Sequence, residues 1–221
     1  MENRDPVKTY NKVDLAKMAE VAPGYDWKSY LDGAGISGKA GYVVVSQPSY
    51  LKGFAEVSNK TSLETWKAYL QMHLISAYAN FLSKPFVDER FAFYGTTLNG
   101  TPQQQDRWKR AVQAVDNGLG EAVGKIYVQR HFSAQTKARA DELVKNLLAA
   151  FDQRIDKVEW MSAQTKARAK AKLAGLKVGM GYPDSWRDYS ALQVRADDAL
   201  GNAQRAGLFE YQRNLAKLGK P

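Results

Sequence analysis

The stretch Trp108–Phe132, WKRAVQAVDNGLGEAVGKIYVQRHF, decides how the rest of the chain is read. Trp108, Ala111, Val112, Val115, Leu119, Ala122, Val123, Ile126 and Tyr127 recur at helical spacing, so the segment is a helix with one long apolar stripe. That stripe requires cover from other segments. Inside it, Asp116-Asn117-Gly118 is a turn-forming triplet, and Gly120 and Gly124 follow. The pattern predicts a break or kink near Asn117-Gly118, with a second helix opening around Glu121. No strand precedes the glycines, so they read as helix packing or a turn rather than a phosphate cradle.

The flanking segments are also helical. Asp14 is expected to cap a short helix over Leu15–Val21, ended by Pro23, and Trp27–Leu31 to add another. Pro48 opens a helix to about Val57, and Asn59-Lys60-Thr61 is expected to be a loop. Ser62 caps the clearest helix, with Trp66, Tyr69, Leu70, His73, Leu74, Ala77, Tyr78, Phe81 and Leu82 on one wide apolar face. That face predicts burial on one side, with His73 as a hydrogen-bonded core histidine. The octapeptide Ser-Ala-Gln-Thr-Lys-Ala-Arg-Ala occurs twice, at 133–140 and 162–169. Each Ser is expected to cap a new helix whose Lys and Arg face outward. Tyr42–Ser46 reads as a strand, and Leu176–Met180 as a short extended segment followed by a turn at Gly181-Tyr182-Pro183-Asp184. Trp186, Arg187, Asp188 and Tyr189 are expected to pack a loop onto the helices. A last helix runs from Arg195 through Leu200, Ala203, Leu208, Tyr211, Leu215 and Leu218 to a stop at Gly219 and Pro221.

Several chemistries are excluded. The 221 residues contain no cysteine, which removes disulfides, thiol catalysis and thiolate metal sites. Gly33-Ala34-Gly35-Ile36-Ser37-Gly38-Lys39-Ala40 approaches a P-loop, but Ala40 lacks the metal-binding hydroxyl and a helix rather than a strand precedes it, so 33–41 is read as a glycine-rich linker. His73 and His131 are followed by Leu-Ile-Ser-Ala and Phe-Ser-Ala-Gln, so neither begins H-E-x-x-H. Asp197-Asp198 is read as solvated charge within a helix, and Asn59-Lys60-Thr61 and Asn99-Gly100-Thr101, both sequons, as exposed loops. No residue is assigned a catalytic, cofactor-binding or metal-binding role. The formal charge of +9 is dispersed among carboxylates and predicts a basic solvated surface with no specific nucleic-acid site.

Six stretches carry a resemblance: RDPVKTYNK (Arg4–Lys12), FYGTTLNG (Phe93–Gly100), RWKRAV (107–112), LGEAVGKIYVQRHF, WMSAQTKARAKAKLAGLKVGMGYPDSWRDYS (160–190) and the closing LAKLGKP. In order and spacing the chain resembles the neprilysin/endothelin-converting-enzyme family of zinc metallopeptidases, in the region upstream of the zinc motif. The resemblance implies a mostly α, multi-helix non-catalytic lobe with at most one or two short strands, divided as an N-terminal segment 1–47 and a helical lobe 48–221. It implies a parent zinc metalloendopeptidase in which this lobe walls off the substrate chamber, with the catalytic lobe of the same polypeptide as partner and peptides as substrates. Zinc belongs to the parent, not to this chain, which alone is expected to be inactive and either to self-associate or to rearrange a terminus, at the glycine-rich linker 33–41 or the final helix. The absence of cysteine resembles bacterial members, implying a periplasmic or secreted parent. Because Arg4-Asp5-Pro6 already resembles an interior stretch, Met1 is expected to be an added start or that of a truncated reading frame. Two other readings stay open: a basic helical nucleic-acid-binding module, and a natural truncation acting as a scaffold.

Overall fold

The computed structural model describes residues 5–220. Strand β1 (Asn11–Asp14) leads into a 3₁₀ turn at Leu15–Lys17, then α1 (Met18–Val21) and α2 (Trp27–Gly33). Strand β2 (Tyr42–Val45) pairs antiparallel with β1, Asn11 opposite Val45 and Asp14 opposite Tyr42. Then come α3 (Pro48–Lys60), α4 (Leu63–Tyr78), a 3₁₀ turn at Ala79–Phe81, α5 (Lys84–Arg90) and a π-helical segment at Phe91–Thr97. Helices α6 (Arg107–His131), α7 (Ala134–Lys157), α8 (Ala163–Ala174) and α9 (Ala199–Leu215) complete the order. The fold is mostly α with one two-stranded sheet among the described residues.

The chain forms two compact units, one running to Gln104 and resuming at Gln193, the other Gln105–Leu192. In the first, Met18, Ala22, Trp27, Val45 and Ala55 form the buried core, flanked by Val13, Leu15, Tyr25, Val43, Leu51 and Phe54. The Trp27 indole N–H donates to the Ala22 carbonyl at 2.8 Å, satisfying the one polar atom that its burial would strand. Helix α9 is tied to this unit where the Tyr211 hydroxyl donates to the Ala34 carbonyl at 2.6 Å.

Helix starts follow side-chain capping. The hydroxyls of Ser62, Ser133 and Ser162 accept from the backbone N–H of Thr65, Thr136 and Thr165, each satisfying a donor left free by the first turn. Asp26 caps α2 through the Ser29 N–H, and Pro48 occupies the first turn of α3, where its missing donor costs nothing. The two identical octapeptides thus do the same work at two helix starts. In the same register, the Lys137 ammonium donates to the Met180 carbonyl at 2.8 Å and the Lys166 ammonium to the Asp156 carbonyl at 2.7 Å.

Several expectations are corrected. Strand β1 was not foreseen; its short NKVD run gains its partner only through β2. Asp14 makes no capping bond and instead stands 4.0 Å from the Lys17 ammonium. Asn59 and Lys60 are not loop but the last turn of α3, where the Asn59 amide donates to the Gly24 carbonyl at 2.7 Å. Asp198 is not a solvated mid-helix charge: it caps α9 through the Gly201 N–H at 2.8 Å and pairs with Arg205 at 3.0 Å. The largest correction concerns α4. None of its residues is buried, and Leu70, Met72, Leu74 and Ile75 are 45–60% exposed. His73 is exposed too, lying 4.3 Å from the Tyr69 ring rather than in a core. The stripe on α6 is likewise open at Trp108, Val112, Val115, Ile126 and Tyr127. The spacing locates apolar faces correctly, but within these residues nothing covers them.

Candidate functional site

The most elaborately built polar arrangement lies in the second unit, where the 181–190 loop meets the bend of α6. Leu119 departs from helical geometry at φ −134° and ψ 26°, between Gly118 and Gly120, which is the kink that the Asp-Asn-Gly triplet predicts. Helix resumes with Glu121 in its first turn, where the partial positive charge of the freed N–H groups favours a carboxylate. The two Glu121 oxygens accept from the Arg187 backbone N–H at 2.8 Å and from its guanidinium at 2.8 Å. The Glu121 N–H points to the Tyr189 hydroxyl at 3.4 Å. Both side chains of the pair are largely covered, Arg187 26% and Glu121 35% exposed.

Aromatic packing orients this loop. Trp186 lies against Gly124, and its ring stacks with Tyr182 at 6.1 Å, while Tyr182 meets Phe132 edge-on at 5.8 Å. Gly181 takes φ +74° directly under the Phe132 ring. Asp188 turns back to accept from the Ser190 N–H at 2.8 Å, which holds its carboxyl below the usual carboxylate range. The loop therefore packs onto the helices as its composition predicts, with every one of Trp186, Arg187, Asp188 and Tyr189 given a structural partner. The Glu121–Arg187 pairing itself was not legible: the two lie 66 positions apart, and no local signal links them.

A second helical bundle of carbonyl and carboxylate contacts joins α7 to α8. The Lys170 ammonium bonds Asp156 at 2.6 Å and Asp152 at 3.1 Å, and these two carboxylates, Asp156 first, push its pKa up. The glycine-rich 33–41 segment is no phosphate cradle. Gly35 and Gly38 adopt φ +65° and +75°, and the segment turns back on α2, the Ile36 N–H reaching the Leu31 carbonyl at 3.0 Å. The FYGTTLNG stretch contains a feature that periodicity does not reveal, the π-helical turn at Phe91–Thr97. There Gly95 sits so close beneath the Phe91 ring that a Cβ would fall 2.5 Å from it.

The described residues do not fit a zinc ion. Among the described residues no three His, Cys, Asp or Glu side chains converge where a metal could be held. His73 and His131 belong to different units, each beside a tyrosine, Tyr69 and Tyr127 respectively. Zinc requires three or four converging donors, which the described residues do not bring together. Among the described residues no helix is long and apolar enough to cross a membrane.

Known proteins share this architecture. The Mycobacterium tuberculosis zinc metalloprotease Zmp1 in its open state superposes with a TM-score of 0.85 at 43% identity, over 98% of this chain and 34% of that one. Endothelin-converting enzyme-like 1 of Rattus norvegicus is 30% identical over 82% of this chain and 24% of its own length. The neutral endopeptidase of Lactobacillus helveticus is 27% identical over 98% of this chain and 34% of its own. The chain thus spans between a quarter and about a third of the length of these relatives. The N-terminal model of peptidase family M13 matches residues 1–183, and on that match the chain belongs to peptidase family M13, as sequence of the N-terminal region of a neprilysin-like metallopeptidase.

Proposed function

We propose that this chain is the non-catalytic helical lobe of a neprilysin-like zinc metalloendopeptidase, walling off the chamber in which the parent enzyme cleaves peptides. Its partner is the catalytic lobe of the same polypeptide, which carries the zinc, and the parent works in the periplasm or outside the cell. The observation that supports this reading is surface. The chain exposes 17243 Å². A folded monomer of this mass exposes about 10,000 Å², and two separate compact bodies of the two units' sizes about 12,000 Å². The excess of several thousand Å² exceeds the roughly 1,600 Å² of a standard protein interface.

Helix α4 gives that excess a location. Leu70 and Met72 lie about 160° apart around a helix of 3.6 residues per turn, and both are open, with Leu74, Ile75 and Tyr69 between and beside them. A helix that is apolar all round belongs in the interior of a larger body. The neutral endopeptidase and Zmp1 relatives are about three times as long as this chain, and a parent of that length would have the residues to cover it.

The test is complementation. The chain is mixed with a separately produced catalytic portion of the parent and assayed on a fluorogenic peptide. Restored, chelator-sensitive hydrolysis, absent from either part alone, supports the lobe. Failure of two well-folded parts to associate, together with a strictly monomeric chain that binds no hydrophobic dye, overturns it.

A further inference from the structure

The small sheet of the first unit ends in two unpaired edges, and they differ. Leu15 donates to the Gly41 carbonyl at 3.1 Å, one step beyond the Asp14–Tyr42 pair, so the bonded rungs fall at Val13–Val43 and Asn11–Val45. Tyr42 and Val44 on β2, and Lys12 and Asp14 on β1, therefore aim their N–H and carbonyl groups away from the partner strand. None of these outward groups finds another backbone partner among the described residues. The β1 edge carries the charges of Lys12 and Asp14, whose hydration opposes a dry junction. The β2 edge has no such guard. Its Tyr-Val-Val-Val run holds no charge, proline or bulge and is rich in the β-branched residues that favour strands. Tyr42 and Val44 are 47% and 46% exposed, and Gly41, Ser46 and Gln47 beside the strand are exposed too.

We propose that β2 is a docking edge for the β2 strand of a second copy of this chain, joined antiparallel about a two-fold axis through Val43. That axis sets Tyr42 opposite Val44 of the second copy, and Val44 opposite its Tyr42. These are the two positions whose groups are free, so each pair exchanges both its bonds and no outward N–H or carbonyl of β2 is left over. A shift by one residue would set inward-pointing groups against outward ones. A shift by two would pair one position with itself and leave the other against residues outside the strand. Both strands are uncharged, so no like charges meet across the junction. On the solvent face the same register puts each Tyr42 ring beside a Val44, an aromatic and β-branched pair of the kind that stabilises sheets, and the Lys12 ammonium already stands 4.1 Å over that ring. The product is one continuous antiparallel sheet, β1–β2–β2–β1, with the charged β1 edges outermost; a sheet of only two strands is marginal, and more strands stabilise it. A two-fold contact closes on itself, so association stops at the dimer. The inference does not rest on the lobe reading, because every residue it uses lies in the first unit.

Sedimentation velocity of the whole chain over a concentration series is expected to show a monomer–dimer equilibrium. Val44→Pro deletes an outward N–H on each copy but spares the β1 ladder, which does not use that donor. It is expected to weaken the dimer by about tenfold or more, with unchanged far-ultraviolet helix signal. Leu70→Gln, on the exposed face of α4, is expected to leave the dimer constant as it is, which separates the strand edge from association through helices. The register is read by disulfide formation, since the chain has no native cysteine. A mixture of Tyr42→Cys and Val44→Cys chains is expected to cross-link faster than either chain alone, because like positions are diagonal neighbours about 7–8 Å apart, at the limit of disulfide reach. A monomer at every concentration, a dimer undiminished in folded Val44→Pro or lost in folded Leu70→Gln, or a mixture that cross-links no faster than the separate chains overturns the proposal. Where Val44→Pro does not fold, the cysteine pair decides.

Discussion

Replacing Gly181 with alanine tests how far the second unit depends on one backbone conformation. Gly181 has φ +74°, where an L side chain brings Cβ against the following carbonyl at a cost of about 1–2 kcal/mol. The new Cβ also meets Phe132, 2.8 Å from Cε1 and 2.9 Å from Cζ, closer than carbon atoms approach in folded proteins. The ring cannot simply withdraw, because Tyr182 stands edge-on to it at 5.8 Å. Relief has to come from the 180–182 backbone, whose carbonyls at Met180 and Tyr182 receive the Lys137 ammonium. A hydrogen bond to a charged group is worth about 1.5–3 kcal/mol, so the total loss is about 3–5 kcal/mol. A body the size of this unit holds about 4–13 kcal/mol in all. Urea unfolding followed by tryptophan fluorescence, with Trp186 inside the affected packing, measures the change. Gly179→Ala is the control, since nothing lies within 4 Å of a Cβ there and φ is not positive; it is expected to change stability by less than about 1 kcal/mol. A Gly181→Ala midpoint indistinguishable from that of the control would refute the reasoning.

Two further outcomes are expected. Ser133→Ala and Ser162→Ala each remove the hydroxyl that accepts from Thr136 or Thr165 and are expected to cost about 1 kcal/mol apiece, additively in thermal unfolding, because they start different helices. Asp26, Asp188 and Asp198 are held below the usual carboxylate range, first by the Ser29 hydroxyl, the Ser190 N–H and the Gly201 N–H respectively. A depressed carboxyl stabilises the fold above its unfolded pKa and loses that contribution as pH falls through the folded value, so the melting temperature is expected to drop in acid below the ordinary carboxylate range. Asp198→Asn, which keeps a cap but not the charge, is expected to flatten the drop.

Local grammar was readable wherever one segment decides its own shape. Ser62, Ser133 and Ser162 announce helix starts because capping is settled within three residues, and Asp116-Asn117-Gly118 announces the bend because turn chemistry is equally local. Three features escaped for the opposite reason. Strand β1 exists only through its pairing with β2, some thirty positions away. The Glu121–Arg187 contact links residues that no periodicity relates. Apolar neighbours on α4 point to a core position for His73, yet apolar spacing states what a face requires, not whether the residues at hand supply it. Asp198 departs from expectation by one turn: α9 starts at Ala199, so the residue before it caps rather than rides the helix.

The hairpin of α7 and α8 has a consequence for the order of assembly. Its contacts are short-range in sequence, with Lys166 and Lys170 reaching back 10 to 18 residues to Asp156 and Asp152. The pairing of Glu121 with Arg187 must instead close a loop of 66 residues. Once α7 and α8 lie side by side, Phe132 and Gly181 are neighbours and the flexible length left to close falls to about a quarter, which lowers the closure entropy by about 1 kcal/mol. Local contacts form faster than distant ones, so the hairpin is expected to form first and the Glu121–Arg187 contact to close on it last.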